Sequence, residues 1–127
     1  MNALLAEWIS KAEGDYAVAR RELEVNGGNH DAVCFHSQQM AEKYLKAFLF
    51  KNRVDFPKIH NLIELLEMCL SIDSSLEECR EFLDRLEDYA VLYRYPVASA
   101  DQSDAQIAFR DAEKVRIIMR AKLELHE

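Results

Sequence analysis

A chain of 127 residues, half of them apolar, is long enough to bury one core of its own without disulfides or a structural metal. Its net charge of −7 excludes an overall field that attracts nucleic acid or an anionic membrane, so any phosphate contact needs a local basic patch. No stretch approaches the roughly 18 apolar residues of a membrane span, and the first residues lack the regions of a signal peptide, so we expect a cytoplasmic protein.

Hydrophobic periodicity predicts four long helices, one shorter helix and no strand. The first helix ends at "NGGN", residues 26–29, because Gly after a last turn readily adopts the left-handed conformation. Pro57 cannot continue a helix, so the second helix ends before it. The predicted helices cover residues 3–25, 30–52, 60–70, 75–92 and a last segment, capped by Ser103 or Asp104, that runs nearly to the C-terminus. Short connections between them predict an all-α antiparallel bundle formed by a single domain, residues 1–127.

The second predicted helix has an unusual polar face. At about 100° per residue, its core side carries the following residues: Cys34, Ala41, Leu45, Phe48 and Leu49. Four hydrogen-bond donors lie nearly opposite, in line with Phe50: His36, Gln39, Lys43 and Lys46. Such a strip suits a phosphate and a stacked base. A solvated surface is the alternative, and a dimer interface is a third, since Met40 and Tyr44 add an apolar fringe beside the strip.

Polar and sulfur-bearing residues also occur at positions that face the predicted core. Gln38 lies among apolar neighbours, so we expect its amide to bind a neighbouring helix or a loop backbone. The three cysteines, Cys34, Cys69 and Cys79, form no CxxC pair and sit in helical patterns, so we interpret them as packing residues.

Four stretches of the sequence stand out together: "HSQQMAEKYLKAFL" (36–49), "FPKIHNLIELL" (56–66), "YRYP" (93–96) and the leading W-x-x-x-A-x-x-D-Y-x-x-A pattern (8–19). In order and spacing they resemble the HEPN domain family, and they span most of the chain. The resemblance implies a five-helix up-and-down bundle that is commonly a homodimer and is often encoded beside a minimal nucleotidyltransferase. Family members have been proposed to bind nucleotides, and one branch cleaves RNA without metal.

In the RNA-cleaving branch, a characteristic Arg is followed by a polar residue and then by a His. Four to six residues in all, the polar one included, separate the Arg from the His. Arg53 with His60 and Arg120 with His126 fit this spacing, but an apolar residue follows each Arg, and about one match is expected by chance. His60 is also suited to capping the short helix or binding a loop carbonyl. Arg53 and His60 therefore stay as secondary catalytic candidates.

The sequence favours a binding module over an enzyme. We expect a HEPN homodimer that acts with a minimal nucleotidyltransferase, as in a toxin–antitoxin pair, and that binds nucleotide or RNA phosphate. The candidate ligand residues are His36, Gln39, Lys43, Lys46, Arg94 and Tyr95, of which the last two lie in a loop beside Pro96. No cofactor and no metal ligand set is predicted. A metal-independent endoribonuclease and a dimeric scaffold without ligand are the alternatives.

Overall fold

Five α-helices and one 3₁₀ turn make up the fold in the computed structural model, which describes residues 1–93, 96 and 98–125. The elements are α1 (Ala3–Glu24), α2 (His30–Lys51), α3 (Leu62–Leu70), the 3₁₀ turn (Ser74–Cys79), α4 (Arg80–Leu92) and α5 (Gln102–Lys122). None of the described residues forms a strand, and the predicted all-α five-helix bundle is confirmed. Over the same residues no helix is both long and apolar enough to cross a membrane.

Side-chain caps fix where most of the helices begin. The side chains of Asn2, Asn29 and Asn61 accept hydrogen bonds from backbone N–H groups in the first turns of α1, α2 and α3. Asp101 caps α5 in a reciprocal capping box with Asp104, so the prediction of Ser103 or Asp104 as the cap is wrong by two or three residues. The predicted fourth helix is also divided, because a 3₁₀ turn precedes α4.

Helix α2 lies at the centre of the bundle and packs against α1, α3, α4 and α5. The core residues predicted for α2 are buried, and Met40 and Tyr44 are fully buried as well. The prediction that Met40 and Tyr44 form an apolar fringe open to a second subunit is therefore wrong. Other helices of the same chain cover both side chains.

All three cysteines are free and buried, which confirms them as packing residues. Burial raises the pKa of each thiol, Cys34, Cys69 and Cys79, to about 12, because a thiolate loses its hydration there.

The turn between α1 and α2 depends on two adjacent glycines. Gly27 has φ +78°, the left-handed conformation that the "NGGN" stretch predicts. Gly28 approaches the end of α1 so closely that a Cβ atom would overlap the backbone carbonyl of Glu22.

We expect Gly28→Ala to lower the free energy of unfolding by about 1–2 kcal/mol, since the turn must shift to admit the methyl group. Gly14 is the control, because a Cβ there meets nothing within 4 Å and lies within α1. Gly14→Ala is expected to stabilise by about 0.5–1 kcal/mol, because Gly costs more backbone entropy than Ala in a helix. Urea denaturation measures both effects, and equal effects of the two substitutions would contradict this account of the turn.

Candidate functional site

The polar strip of α2 is largely covered in the folded chain. The exposed fraction of the side chain is 28% for His36, 24% for Lys43 and 8% for Lys46. The prediction that this strip lies on the side of α2 that faces away from the rest of the protein is therefore wrong. Both α1 and the segment before α3 pack beside it. The strip is divided between two carboxylates, one on α1 and one on α2 itself.

The first group, the Asp15 cluster, joins α1 to α2 and consists of Asp15, His36 and Lys43. Asp15 is buried, and Lys43 Nζ donates to its Oδ2 at 2.5 Å. His36 Nδ1 lies 2.8 Å from Asp15 Oδ1. A carboxylate can only accept, so Nδ1 carries a proton and Nε2 is the nitrogen left for another partner.

The second group, the Glu42 cluster, consists of Gln38, Gln39, Glu42, Lys46 and His60. Glu42 is buried and accepts from Lys46 Nζ at 3.1 Å, while His60 Nδ1 lies 3.2 Å from the same oxygen. Gln38 Nε2 donates to the His60 carbonyl at 3.4 Å, which confirms the predicted link from α2 to a loop backbone. Gln39 Nε2 in turn donates to Gln38 Oε1 at 2.8 Å.

Both clusters hold a histidine by Nδ1 on a buried carboxylate, and this arrangement has a chemical use. The fixed ring presents Nε2 to a ligand, where the doubly protonated ring can donate to a phosphate oxygen and the neutral ring can accept a proton. The side chain of His60 is 74% exposed, whereas His36 is only partly accessible beside Lys43. His60 does not cap α3, because Asn61 has that role.

The structure does not join the two secondary catalytic candidates. Arg53 follows α2 in the left-handed conformation, with φ 60°, and is exposed. No hydrogen bond or ion pair links Arg53 to His60 among the described residues. Arg94, Tyr95 and His126 lie outside the described residues. In the part of the chain that is described, no group of three or more His, Cys, Asp or Glu could hold a metal ion.

A third polar group, which the sequence did not indicate, joins α1, α2 and α5 at Glu13. Arg116 donates two hydrogen bonds to Glu13, at 2.8 and 2.7 Å, and the hydroxyl of Tyr44 donates a further one. Arg120 Nη1 donates to the Tyr44 hydroxyl at 3.0 Å. Burial acts to raise the pKa of Glu13, but the hydrogen bonds from Arg116 and Tyr44 outweigh it, and the net pKa is lowered.

The sequence contains a signal for some of the ion-pair and hydrogen-bond partners in these three groups and none for the others. Glu42 and Lys46 are four residues apart on one helix, a spacing that brings opposite charges together and that was open to sequence analysis. Asp15 and Glu13 meet partners that are 21 to 103 residues away, so no local pattern reveals them.

Comparison with known proteins agrees with this fold. The sequence profile of the HEPN domain matches residues 5–122. The chain belongs to the HEPN domain family. This HEPN domain is 27% identical, over 129 residues, to a protein of Methanocaldococcus jannaschii named Putative toxin MJ1304, and the alignment covers 89% of this chain and 84% of that protein. The comparison with solved structures found no match.

Proposed function

We propose that this HEPN domain is a toxin-like module that binds nucleotide or RNA phosphate and acts, as a homodimer, with a minimal nucleotidyltransferase in a toxin–antitoxin pair. The similarity to the protein named Putative toxin MJ1304 supports the first part. The observation that carries the phosphate site is the Asp15 cluster, in which one buried carboxylate orients both a histidine and a lysine.

The Asp15 cluster is suited to a phosphate because its donors are fixed before a ligand arrives. Lys43 uses one of its three N–H donors on Asp15, and His36 keeps Nε2. About a quarter of each side chain is exposed, so a phosphate oxygen can reach both. Prior orientation lowers the entropy cost of binding.

The other proposed ligand residues have different relations to this site. Gln39, a member of the Glu42 cluster, is partly buried next to the Asp15 cluster and is held by Gln38. Lys46 is buried against Glu42, which neutralises its charge, so it makes no direct contact with a ligand at this site. Arg94 and Tyr95 complete the proposed ligand set.

Lys43→Gln tests the phosphate site. It removes the charge while keeping a donor for Asp15, and we expect about tenfold weaker binding of ATP and of a short single-stranded RNA, because one charge-assisted hydrogen bond is lost. Calorimetric titration in EDTA measures the affinities.

Lys11→Gln is the matched control, since Lys11 is exposed on α1 and the change in net charge is the same. Its affinity is expected to stay within about twofold of the wild type. Wild-type affinity in the Lys43→Gln variant, with the fold intact by circular dichroism, would refute the site.

The partner is tested by co-expression of this chain with a minimal nucleotidyltransferase from the same organism. Support would be a complex that stays together through affinity and size-exclusion chromatography. Separate elution of the two proteins at micromolar concentration would refute a stable pair.

A metal-independent endoribonuclease is a second candidate, favoured by the exposed His60 ring that Glu42 holds by Nδ1. This function requires that the purified protein cuts RNA in EDTA and that His60→Gln abolishes the cutting. His30→Gln is the control, because His30 begins α2 away from both clusters. Intact RNA, or cutting that survives His60→Gln, would exclude His60 as the catalytic base or acid.

A further inference from the structure

The outer face of the bundle that α4 and α5 form is divided by charge. The exposed positions of α5 from Gln106 to Ala121 include two bases, Arg110 and Lys114, and no acid. Glu113 of the same helix is partly buried and accepts a hydrogen bond from α1. The exposed charged residues of α4 and of the 3₁₀ turn before it are all acids: Glu77, Glu78, Glu81, Asp84 and Asp88.

Ion pairs within the chain leave this division in place. Arg85 of α4 donates two hydrogen bonds of 2.9 Å to Asp111, which is buried on α5. Arg80 and Arg85 also pair with Glu77 and Glu81. Three acids of the face and both bases have no ion-pair partner among the described residues: Glu78, Asp84, Asp88, Arg110 and Lys114.

An apolar groove of about 380 Å³ lies between the two charged edges. Its lining consists of Glu78, Phe82, Lys114, Ile117 and Ile118. Ile117 is 66% exposed, which is unusual for an isoleucine in a chain that buries its core well. An apolar centre with a charged border is the arrangement of a protein interface.

The two helices run antiparallel, and Arg110 lies level with Leu86, between Asp84 and Asp88 along the helix axis. Lys114 lies level with Phe82, about one turn from Glu78. This register follows from three contacts, which join Tyr93 to Asp104, Arg85 to Asp111 and Phe82 to Lys114.

We propose that a second copy of the chain docks on this face, an inference that rests on the homodimer of the proposed function and gives its interface. A two-fold axis parallel to the helices, midway between α4 and α5, sets α4 of one copy against α5 of the other at the same level. Arg110 then faces Asp88 of the second copy, and Lys114 faces Glu78. Ile117 of each copy reaches the apolar groove of the other.

The charges select this pairing over the other two-fold arrangement. An axis across the helices sets α4 against α4 and α5 against α5, so acids would meet acids and bases would meet bases. Like charges that face each other across an interface cost several kcal/mol. With the axis parallel to the helices, every such contact joins an acid and a base, and each contact occurs twice.

The test is the dimerisation constant of the full chain, measured by sedimentation velocity over a series of concentrations. An acidic variant combines Arg110→Glu with Lys114→Glu, and a basic variant combines Glu78→Lys with Asp88→Lys. We expect each variant alone to dimerise at least about 20-fold more weakly than the wild type. An equimolar mixture of the two is expected to form a mixed dimer, since each contact again joins opposite charges.

Lys11→Glu with Lys58→Glu is the matched control, because both lysines are exposed away from α4 and α5 and the change in net charge equals that of the acidic variant. Its dimerisation constant is expected to stay within about twofold of the wild type. Circular dichroism checks the folds, and a variant that regains a dimer on mixing is itself folded.

The outcomes separate this face from the proposed function. If the wild type dimerises and both charge variants do so equally well, or if the mixture of the folded variants stays monomeric, the face is overturned and the homodimer stands. A monomeric wild type overturns both. If the wild type is monomeric and the charge variants abolish its complex with a nucleotidyltransferase, the face belongs to that partner, and docking of a second copy is overturned.

Discussion

Glu42→Ala is expected to lower the free energy of unfolding by about 3–5 kcal/mol, because it leaves the ammonium of Lys46 buried without its carboxylate. Only 8% of the Lys46 side chain is exposed, so water cannot replace the lost partner without a local rearrangement. The amide of Gln38 and the ring of His60 lose an acceptor at the same time.

The expected loss of stability comes from leaving one charge of the pair buried without its partner. A double variant that removes both charges measures instead what the pair contributes relative to apolar side chains. Glu42→Leu with Lys46→Met replaces both charges by apolar groups of similar size, and this variant is expected to lie within about 2 kcal/mol of the wild type. Lys46 also lies 5.8 Å from the centre of the Phe56 ring, and Met at position 46 keeps an apolar contact there.

Urea denaturation of the wild type, Glu42→Ala, Lys46→Met and the double variant measures these differences in the free energy of unfolding. Glu64→Ala is a matched control for the loss of a carboxylate, because Glu64 is exposed on α3. A Glu42→Ala variant that loses less than about 1 kcal/mol would show that Lys46 reaches solvent and that the buried pair does not exist.

The helices of this fold were predictable because each carries its own local signals. Asn29 and Asn61 cap helices that begin within two residues of the predicted starts, and Gly27 has the conformation that the end of α1 requires. The 3₁₀ turn before α4 was not predicted, since Ser74–Cys79 also fits the start of an α-helix.

The surroundings of α2 were not predictable to the same extent. Periodicity gives the direction of each side chain on a helix, but it does not give the number of helices that pack around it. A helix with one buried face leaves His36 and Lys43 in solvent, whereas the central position of α2 brings them to Asp15 on α1. The likeness to the HEPN family gave the fold, and the partners of the polar residues required three-dimensional contacts.

The stability of this protein is expected to fall in acid in part through Glu13, and Glu13→Ala measures that part. At pH 7 we expect a loss of about 2–3 kcal/mol, below the full value of a buried pair because 30% of the Glu13 side chain is exposed. The pKa of Glu13 is lowered in the folded state, so its contribution is present above the unfolded pKa, about 4.3, and is lost as the pH falls through the folded pKa. The difference in unfolding free energy between the wild type and Glu13→Ala should therefore shrink between pH 5 and pH 3.

Glu7→Ala, at an exposed position on α1, is the control and is expected to change stability by less than about 0.5 kcal/mol at both pH values. A Glu13→Ala effect that stays constant across this range would mean that the contacts of Glu13 with Arg116 and Tyr44 do not depend on its charge.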